Sequence, residues 1–199
     1  MFDIAPAMTI APPLDRRAAR SRDLLLAALP GLLAERGFER LTTQNIIDRA
    51  GVGRATFYAH FESKDELLAA SVGRLRQWLE AMRSLQPAQP FAFMLPFFEH
   101  LASHRAIYRT TFERDSEVAV ERHIRAMMLD LVRIELLANR TARQDDAAIE
   151  LATQFVVSTF WSVTVWWMGG NARRTPAEVD AVFRRLARPG LELALATPA

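Results

Sequence analysis

The chain contains no cysteine, and its 25 basic residues include a single lysine, Lys64. Without cysteine there is neither a disulfide framework nor a thiolate metal site, which suits a reducing compartment such as the cytoplasm. Long alternations of apolar and polar residues, the pattern of half-buried strands, are also missing. These absences exclude a small secreted protein held by disulfides and argue against a fold built from strands.

The first 14 residues, MFDIAPAMTIAPPL, contain three prolines and no basic residue before an apolar core. A secretory signal begins with basic residues that precede such a core, so this segment does not predict one. We expect residues 1–14 to form a disordered tail. Met8 leaves open an alternative start to Met1.

Apolar side chains recur at steps of three and four residues along most of the chain. This spacing predicts an all-α protein of about nine helices. The first helix should end at Gly37 and be kinked, or restarted, at Pro30. Later helices are expected at about 43–50, 54–60, 64–85, 91–103, 104–113, 117–140, 145–168 and 176–196, with a linker at 86–90.

Positive charge is concentrated near the start of the chain. Residues 15–64 include nine basic and six acidic side chains, whereas residues 65–199 include sixteen of each. A local excess of positive charge is what a region that binds a polyanion needs, although the excess is modest.

Two short helices joined by a glycine turn predict a helix-turn-helix between Thr42 and Phe61. Thr42 or Thr43 can cap the first helix, Gly51 supplies a left-handed stop, and Ser63 with Glu66 forms the capping box of the next helix. The expected inner face is apolar: Ile46, Ile47, Ala50, Val52, Phe57 and Phe61. The expected outer face is polar: Thr43, Gln44, Arg54, Thr56, Tyr58, His60 and Lys64.

The run LTTQNIIDRAGVGRATFYAHFESKDELL resembles the DNA-binding signature of the TetR family of transcriptional regulators. The preceding ERGFERL is similar to the family's usual end of the first helix, and the resemblance covers about residues 16–68. It implies a helix-turn-helix DNA-binding domain at 15–64 and an effector-binding and dimerisation domain at 65–199. The expected function is that of a homodimeric repressor that binds a palindromic operator in double-stranded DNA. A small, largely apolar effector would release it from the operator.

Carried over by position, the resemblance implies two kinds of DNA contact. Phosphates and backbone would be touched by Thr43, Tyr58, His60 and Lys64. Base edges would face Gln44, Arg54, Ala55 and Thr56. The residue types agree, since arginine can bind guanine through two hydrogen bonds, glutamine can pair with adenine, and methyl groups can meet thymine. Gly53 departs from the family, in which serine or another capping residue is common.

Aromatic residues are frequent after the linker, where the family surrounds a small-molecule cavity with helices. Such side chains are more often core than pocket, so both interpretations stay open. The candidate pocket residues are Phe93, Phe97, His100, Tyr108, Phe112 and Trp161.

Leu151 to Gly170 form a stretch of 20 residues without a charge, long enough to cross a bilayer. Six of these residues are polar, which favours a helix buried at a subunit interface over a membrane span. We expect no membrane association and a dimer built from the last two long helices. The candidate interface residues are Phe160, Trp166 and Trp167.

His100 and His104 lie four residues apart beside Glu99, a spacing that permits a metal or acid-base site. The sequence offers no HExxH motif and no third ligand at a recognisable spacing. We therefore expect no metal, no cofactor and no enzymatic activity. A helical metal-dependent enzyme remains an alternative, and so does an activator that uses the same DNA-binding head.

Overall fold

The computed structural model describes residues 13–86, 89–108, 118–141, 144–170 and 173–196. Within these ranges the chain is helical and contains no strand, so the prediction of an all-α fold is confirmed. The helices are α1 (Pro13–Arg36), α2 (Thr43–Ala50), α3 (Arg54–Tyr58), α4 (Lys64–Ser84), α5 (Met94–Ser103), α6 (Val118–Ala138), α7 (Asp146–Met168) and α8 (Pro176–Ala196). Residues 105–108 form a further helical segment.

Helix α1 runs through Pro30 without a restart. Proline removes the hydrogen bond to the carbonyl four residues earlier and usually breaks a helix. Here the apolar stripe of Leu25, Leu29 and Leu32 is buried on both sides of the proline, and this packing holds the helix together. Of the two alternatives predicted at Pro30, the restart is therefore wrong, and the kink stays a prediction. Helix α1 also begins at Pro13, two residues inside the segment expected to be a tail, whose residues 1–12 lie outside the described part of the chain.

Helix α5 begins at Met94 and not at Phe91 as predicted. Phe91 has φ 52°, a left-handed conformation that a helix cannot contain and that a bulky side chain seldom adopts. Its amide donates to Glu135 in α6, and Arg184 in α8 donates to the carbonyls of Pro90 (2.7 Å) and Phe91 (3.2 Å). The turn between α4 and α5 is thus fixed by two other helices.

Helices α5, α7 and α8 enclose an aromatic core. The ring centroid of Phe160 lies 5.3 Å from those of Phe97 and Phe98, and Phe183 and Trp167 close around Phe98. Helix α7 is long and apolar enough to cross a membrane, but ten of its 23 residues are buried against neighbouring helices. Its composition reflects packing between α6 and α8.

Candidate DNA-binding surface and effector cavity

The turn between α2 and α3 is set by local capping. The Thr42 hydroxyl accepts a hydrogen bond from the Asn45 amide, and the Asn45 side chain accepts one from the Thr42 amide, both at 3.2 Å. Thr42, and not Thr43, is therefore the cap. Gly51 ends α2 with φ 64°, where a Cβ would be strained. Gly53 precedes α3 without a side-chain cap, yet α3 begins at Arg54 as predicted; it ends at Tyr58, two residues before the predicted end.

The inner face of α2 and α3 packs against α1 as predicted. The side chains of Ile46, Ile47, Phe57 and Phe61 are buried, with Ile46 and Phe57 fully so. This packing fixes the orientation of α3 relative to α1. The opposite face therefore projects with a defined orientation from helices α1 to α3, which are called the head below.

The outer face carries the side chains predicted to contact DNA. Gln44, Arg54, Ala55 and Tyr58 are exposed, and Thr43, Thr56 and His60 are half-buried. The guanidinium of Arg54 lies 5.7 Å from the centroid of the Tyr58 ring, a cation–π arrangement that orients it. All seven side chains are thus at least partly accessible, and two of them, Arg54 and Tyr58, are in contact.

Asp48 is a residue of this surface that sequence reasoning missed. The Gln44 side-chain amide donates a 2.7 Å hydrogen bond to the Asp48 carboxylate. Because a carboxylate only accepts, the bond fixes which end of the amide faces Asp48 and leaves the Gln44 oxygen directed elsewhere. The i, i+4 spacing of the two residues was the available signal.

Lys64 is engaged with the protein itself. Its ammonium donates to the carbonyl oxygens of Phe38 (2.9 Å), Glu39 (3.4 Å) and Leu41 (2.9 Å). It also lies 4.5 Å from the centroid of the Phe38 ring. An ammonium group has three donors, and all three point at the loop between α1 and α2. The single lysine therefore ties the first turn of α4 to the head.

A cavity of about 320 Å³ lies between α1 and the helices from α4 onward, which are called the body below. Its walls come from five segments, and most of the side chains are apolar. Helix α1 supplies Leu26, Ala27, Pro30 and Leu33; α4 supplies Leu68, Ser71, Val72, Arg74, Leu75 and Trp78; the rest are His100, His104, Ile107, Tyr108, Val120 and Ile124. The side chains of Leu68, Val72 and Leu75 on α4 thus form one wall of the cavity.

Two stacked histidines and a tyrosine form the polar wall of this cavity. The ring centroids of His100 and His104 are 4.3 Å apart, and Nε2 of His100 lies 3.1 Å from the Tyr108 hydroxyl. Burial, with a smaller contribution from the neighbouring His104, lowers the pKa of His100 to about 4. Burial raises the pKa of Tyr108. At neutral pH His100 is therefore an uncharged imidazole and Tyr108 a protonated phenol.

Of the six predicted pocket residues, His100 and Tyr108 line the cavity. Phe93 and Phe97 are fully buried in the core, and the Trp161 ring packs against the guanidinium of Arg125 at 4.7 Å. Phe112 lies outside the described residues. Among the described residues no group of three His, Asp or Glu side chains is arranged to hold a metal ion, so His100 and His104 have no third ligand there.

The outward face of α7 and α8 is apolar. A groove of about 560 Å³ is lined by Phe155, Ser158, Thr159, Ser162, Val163, Trp166, Val182 and Leu186. Trp166 is 39% exposed and Leu186 53% exposed, whereas Phe160 and Trp167 are buried inside the chain's own fold. Of the three residues predicted for a dimer interface, only Trp166 therefore lies on the surface.

Comparisons with known proteins agree with this arrangement. The family described as bacterial regulatory proteins, tetR family, matches residues 25–71, and the transcriptional regulator C-terminal region matches residues 88–189. The transcriptional repressor KstR2 of Mycolicibacterium smegmatis is 28% identical over 179 residues, covering 81% of this chain and 86% of its own. KstR2 of Rhodococcus jostii is also 28% identical, with 87% and 92% covered.

Solved structures show the same fold. A TetR transcriptional regulator from Streptococcus agalactiae has a TM-score of 0.65 at 21% identity and covers 87% of this chain and 97% of its own. FadR of Thermus thermophilus, solved with lauroyl-CoA, has a TM-score of 0.57 at 20% identity, with 85% and 94% covered. The second family match alone spans half of the chain, and the first contains the whole helix-turn-helix. The chain therefore belongs to the TetR family of bacterial transcriptional regulators.

Proposed function

We propose that this protein is a homodimeric repressor that reads a palindromic operator and is released from it by a small, largely apolar effector. The observation that carries the proposal is the outer face of α2 and α3, where polar side chains project opposite a buried inner face. In a helix-turn-helix such a face enters the major groove. Both KstR2 relatives are named as repressors, which favours repression of transcription over activation.

Four residues are proposed to read base edges: Gln44, Arg54, Ala55 and Thr56. Arg54 is suited to guanine because its guanidinium is held over Tyr58 and can donate two parallel hydrogen bonds. Thr43, Tyr58 and His60 are proposed to contact phosphates, which position the protein without selecting a sequence. Lys64 was expected to join them, but its three bonds to backbone carbonyls favour a bracing role.

The apolar face of α7 and α8 is proposed as the dimer interface. Exposed apolar side chains on adjacent helices cost free energy in water and are typical of surfaces that bind another protein. Trp166 and Leu186 border the same groove, so a second copy of this face would bury both. Two heads held in this way would read half-sites about one helical turn, or a small multiple, apart.

The cavity between α1 and α4 is proposed as the effector site. A ligand there would touch α1, which belongs to the head, and α4, whose first turn is tied to the head through Lys64. An effector lowers operator affinity only if it prefers a state in which the heads are wrongly placed. The apolar walls fit an apolar ligand, and FadR with lauroyl-CoA is a neighbour in fold whose ligand carries an apolar chain. A cytoplasmic location follows from the proposed role.

The test is a selection of bound sequences from random double-stranded DNA with the full chain. We expect the wild type to enrich a palindrome. Arg54→Ala should bind this palindrome more weakly by about 1–3 kcal/mol and should no longer discriminate between bases at one position of each half-site. Arg185→Ala, an exposed arginine of α8, is the matched control and should bind as the wild type does. Equal losses on operator and random DNA would show that Arg54 does not read a base, and failure to enrich any sequence would refute the proposal.

A further inference from the structure

The cavity at the head–body junction has a chemical character that narrows the effector. Among the described residues that line it, the only arginine, and the only residue of the arginine, lysine, aspartate and glutamate types, is Arg74. The guanidinium of Arg74 forms an ion pair with Asp23 of α1, and the side chain is 46% exposed, so this charge is neutralised at the mouth. The described interior therefore offers no spare cation to a ligand.

The two histidines deeper in the cavity still have hydrogen-bonding capacity. Nε2 of His100 faces the Tyr108 hydroxyl, and Nδ1 of His100 makes no hydrogen bond within the described part of the chain. Nδ1 of His104 lies 3.0 Å from the His100 carbonyl, which can only accept, so Nδ1 is the donor and Nε2 is left over. Both of these nitrogens, Nδ1 of His100 and Nε2 of His104, are partly exposed.

We infer that the effector is an apolar molecule bearing an uncharged oxygen, such as a hydroxyl or a carbonyl, that binds the His100 and His104 imidazoles. That this ligand acts as an effector rests on the proposed function, whereas its chemical class is inferred from the cavity alone. Moving a carboxylate from water into an apolar site without a cation is costly, whereas a hydroxyl needs only one or two hydrogen bonds. A volume of about 320 Å³ lies at the small end of ligand pockets and suits a single short chain or ring system.

The position of Trp78 provides a direct readout. Its indole lines the cavity, is 39% exposed and lies 6.1 Å from the His100 ring, so a ligand should change its fluorescence. Decanol and decanoate have the same chain length and differ in charge at neutral pH. Binding of each to the purified full-length protein would be followed by fluorescence and by thermal shift.

We expect decanol to bind at least about tenfold more tightly than decanoate, because only the carboxylate must be buried as an anion. His100→Leu should weaken decanol binding several-fold and reduce the preference over decanoate. His100→Gln keeps an uncharged donor and acceptor and should bind better than His100→Leu. His123→Leu, the same change at a body histidine outside the cavity, is the control and should bind as the wild type does.

Three results would overturn the inference: decanoate binding as tightly as decanol, no binding of decanol at all, or unchanged decanol binding in both His100 variants. Operator binding by the same samples separates this inference from the proposed function. If the selected DNA is bound and decanol is not, only the ligand inference fails. If decanol binds and no DNA sequence is ever selected, the proposed function fails and the cavity chemistry stands.

Discussion

Lys64 shows how the role of one residue depends on its surroundings. Its ammonium is held by three carbonyls and the Phe38 ring, so the charge is used inside the protein. A lysine on phosphate and a lysine on carbonyls have different measurable consequences. The first contributes to the salt dependence of DNA binding, and the second contributes to stability.

Replacing Lys64 by methionine keeps the apolar stem and removes the three donors. We expect the free energy of unfolding to fall by about 2 kcal/mol, because the carbonyls of Phe38 and Leu41 lose a charged partner. Thermal unfolding measures this loss, and Arg40→Met, at an exposed arginine, should change it by less than about 0.5 kcal/mol. The slope of operator affinity against salt should stay as in the wild type. A slope reduced by about one with unchanged stability would assign Lys64 to phosphate instead.

His100 makes stability depend on pH in a direction that can be worked out. Its pKa falls from 6.5 to about 4 on folding, so between these values the unfolded chain binds more protons than the folded one. The contribution is present above pH 6.5 and is lost as the pH falls towards 4.

His100→Leu should therefore lose less stability than the wild type over this window. A difference of about 1 kcal/mol would appear as roughly 2–4 °C in the unfolding temperature for a chain of this size. Unfolding temperatures at a series of pH values measure it. Parallel curves for the two proteins would mean that His100 titrates normally in the folded state.

Among the helices, α4 is the one through which head and body are connected. At its start Lys64 is bound to the head, while Asp65 is paired with Arg122 of α6 at 2.9 Å. Further along the chain, Glu135 of α6 and Arg184 of α8 hold the turn at Phe91 that precedes α5. The start of the helix is thus bound both to the head and to α6, so a ligand against the middle of α4 acts on an element whose attachments at that end are defined.

Arg184 should be essential for the turn at Pro90 and Phe91 that precedes α5. Arg184→Met would leave the carbonyls of Pro90 and Phe91 without this donor. It would also remove the partner of the largely buried Asp180 carboxylate, which lies 2.6 Å from the guanidinium in the wild type. We expect a loss of about 2–3 kcal/mol in the free energy of unfolding. Chemical denaturation measures it. Arg185→Met, at the exposed neighbouring residue, is the matched control, and an equal loss in both variants would refute a specific role for Arg184.

At the scale of the whole molecule, the face of α7 and α8 determines whether two heads can bind one operator. Leu186→Glu would place a charge in the proposed interface beside Phe155 and Trp166. We expect a monomer in sedimentation at micromolar concentration and operator affinity lower by at least about a hundredfold, since the second half-site is no longer tethered. Leu137→Glu, at a leucine of α6 that is also exposed, is the control and should remain dimeric. A wild-type protein that is monomeric would contradict the proposed interface outright.

The sequence by itself determined the helical class, the position of the helix-turn-helix and its capping. These features depend on neighbours three or four residues apart, such as Thr42 with Asn45, or on one glycine with a left-handed φ, and such local preferences are written in the order of residues. The same locality explains why α2 and α8 were predicted with their observed ends.

Only the tertiary structure decided which residues share a surface. Lys64 meets carbonyls 23 to 26 residues away, the cavity takes its walls from five segments, and a one-residue step along α7 separates exposed Trp166 from buried Trp167. The left-handed Phe91 is likewise held by partners 44 and 93 residues away. Helical periodicity shows that a stripe is apolar but not whether it meets a core, a cavity or a second subunit, because that depends on how distant helices pack.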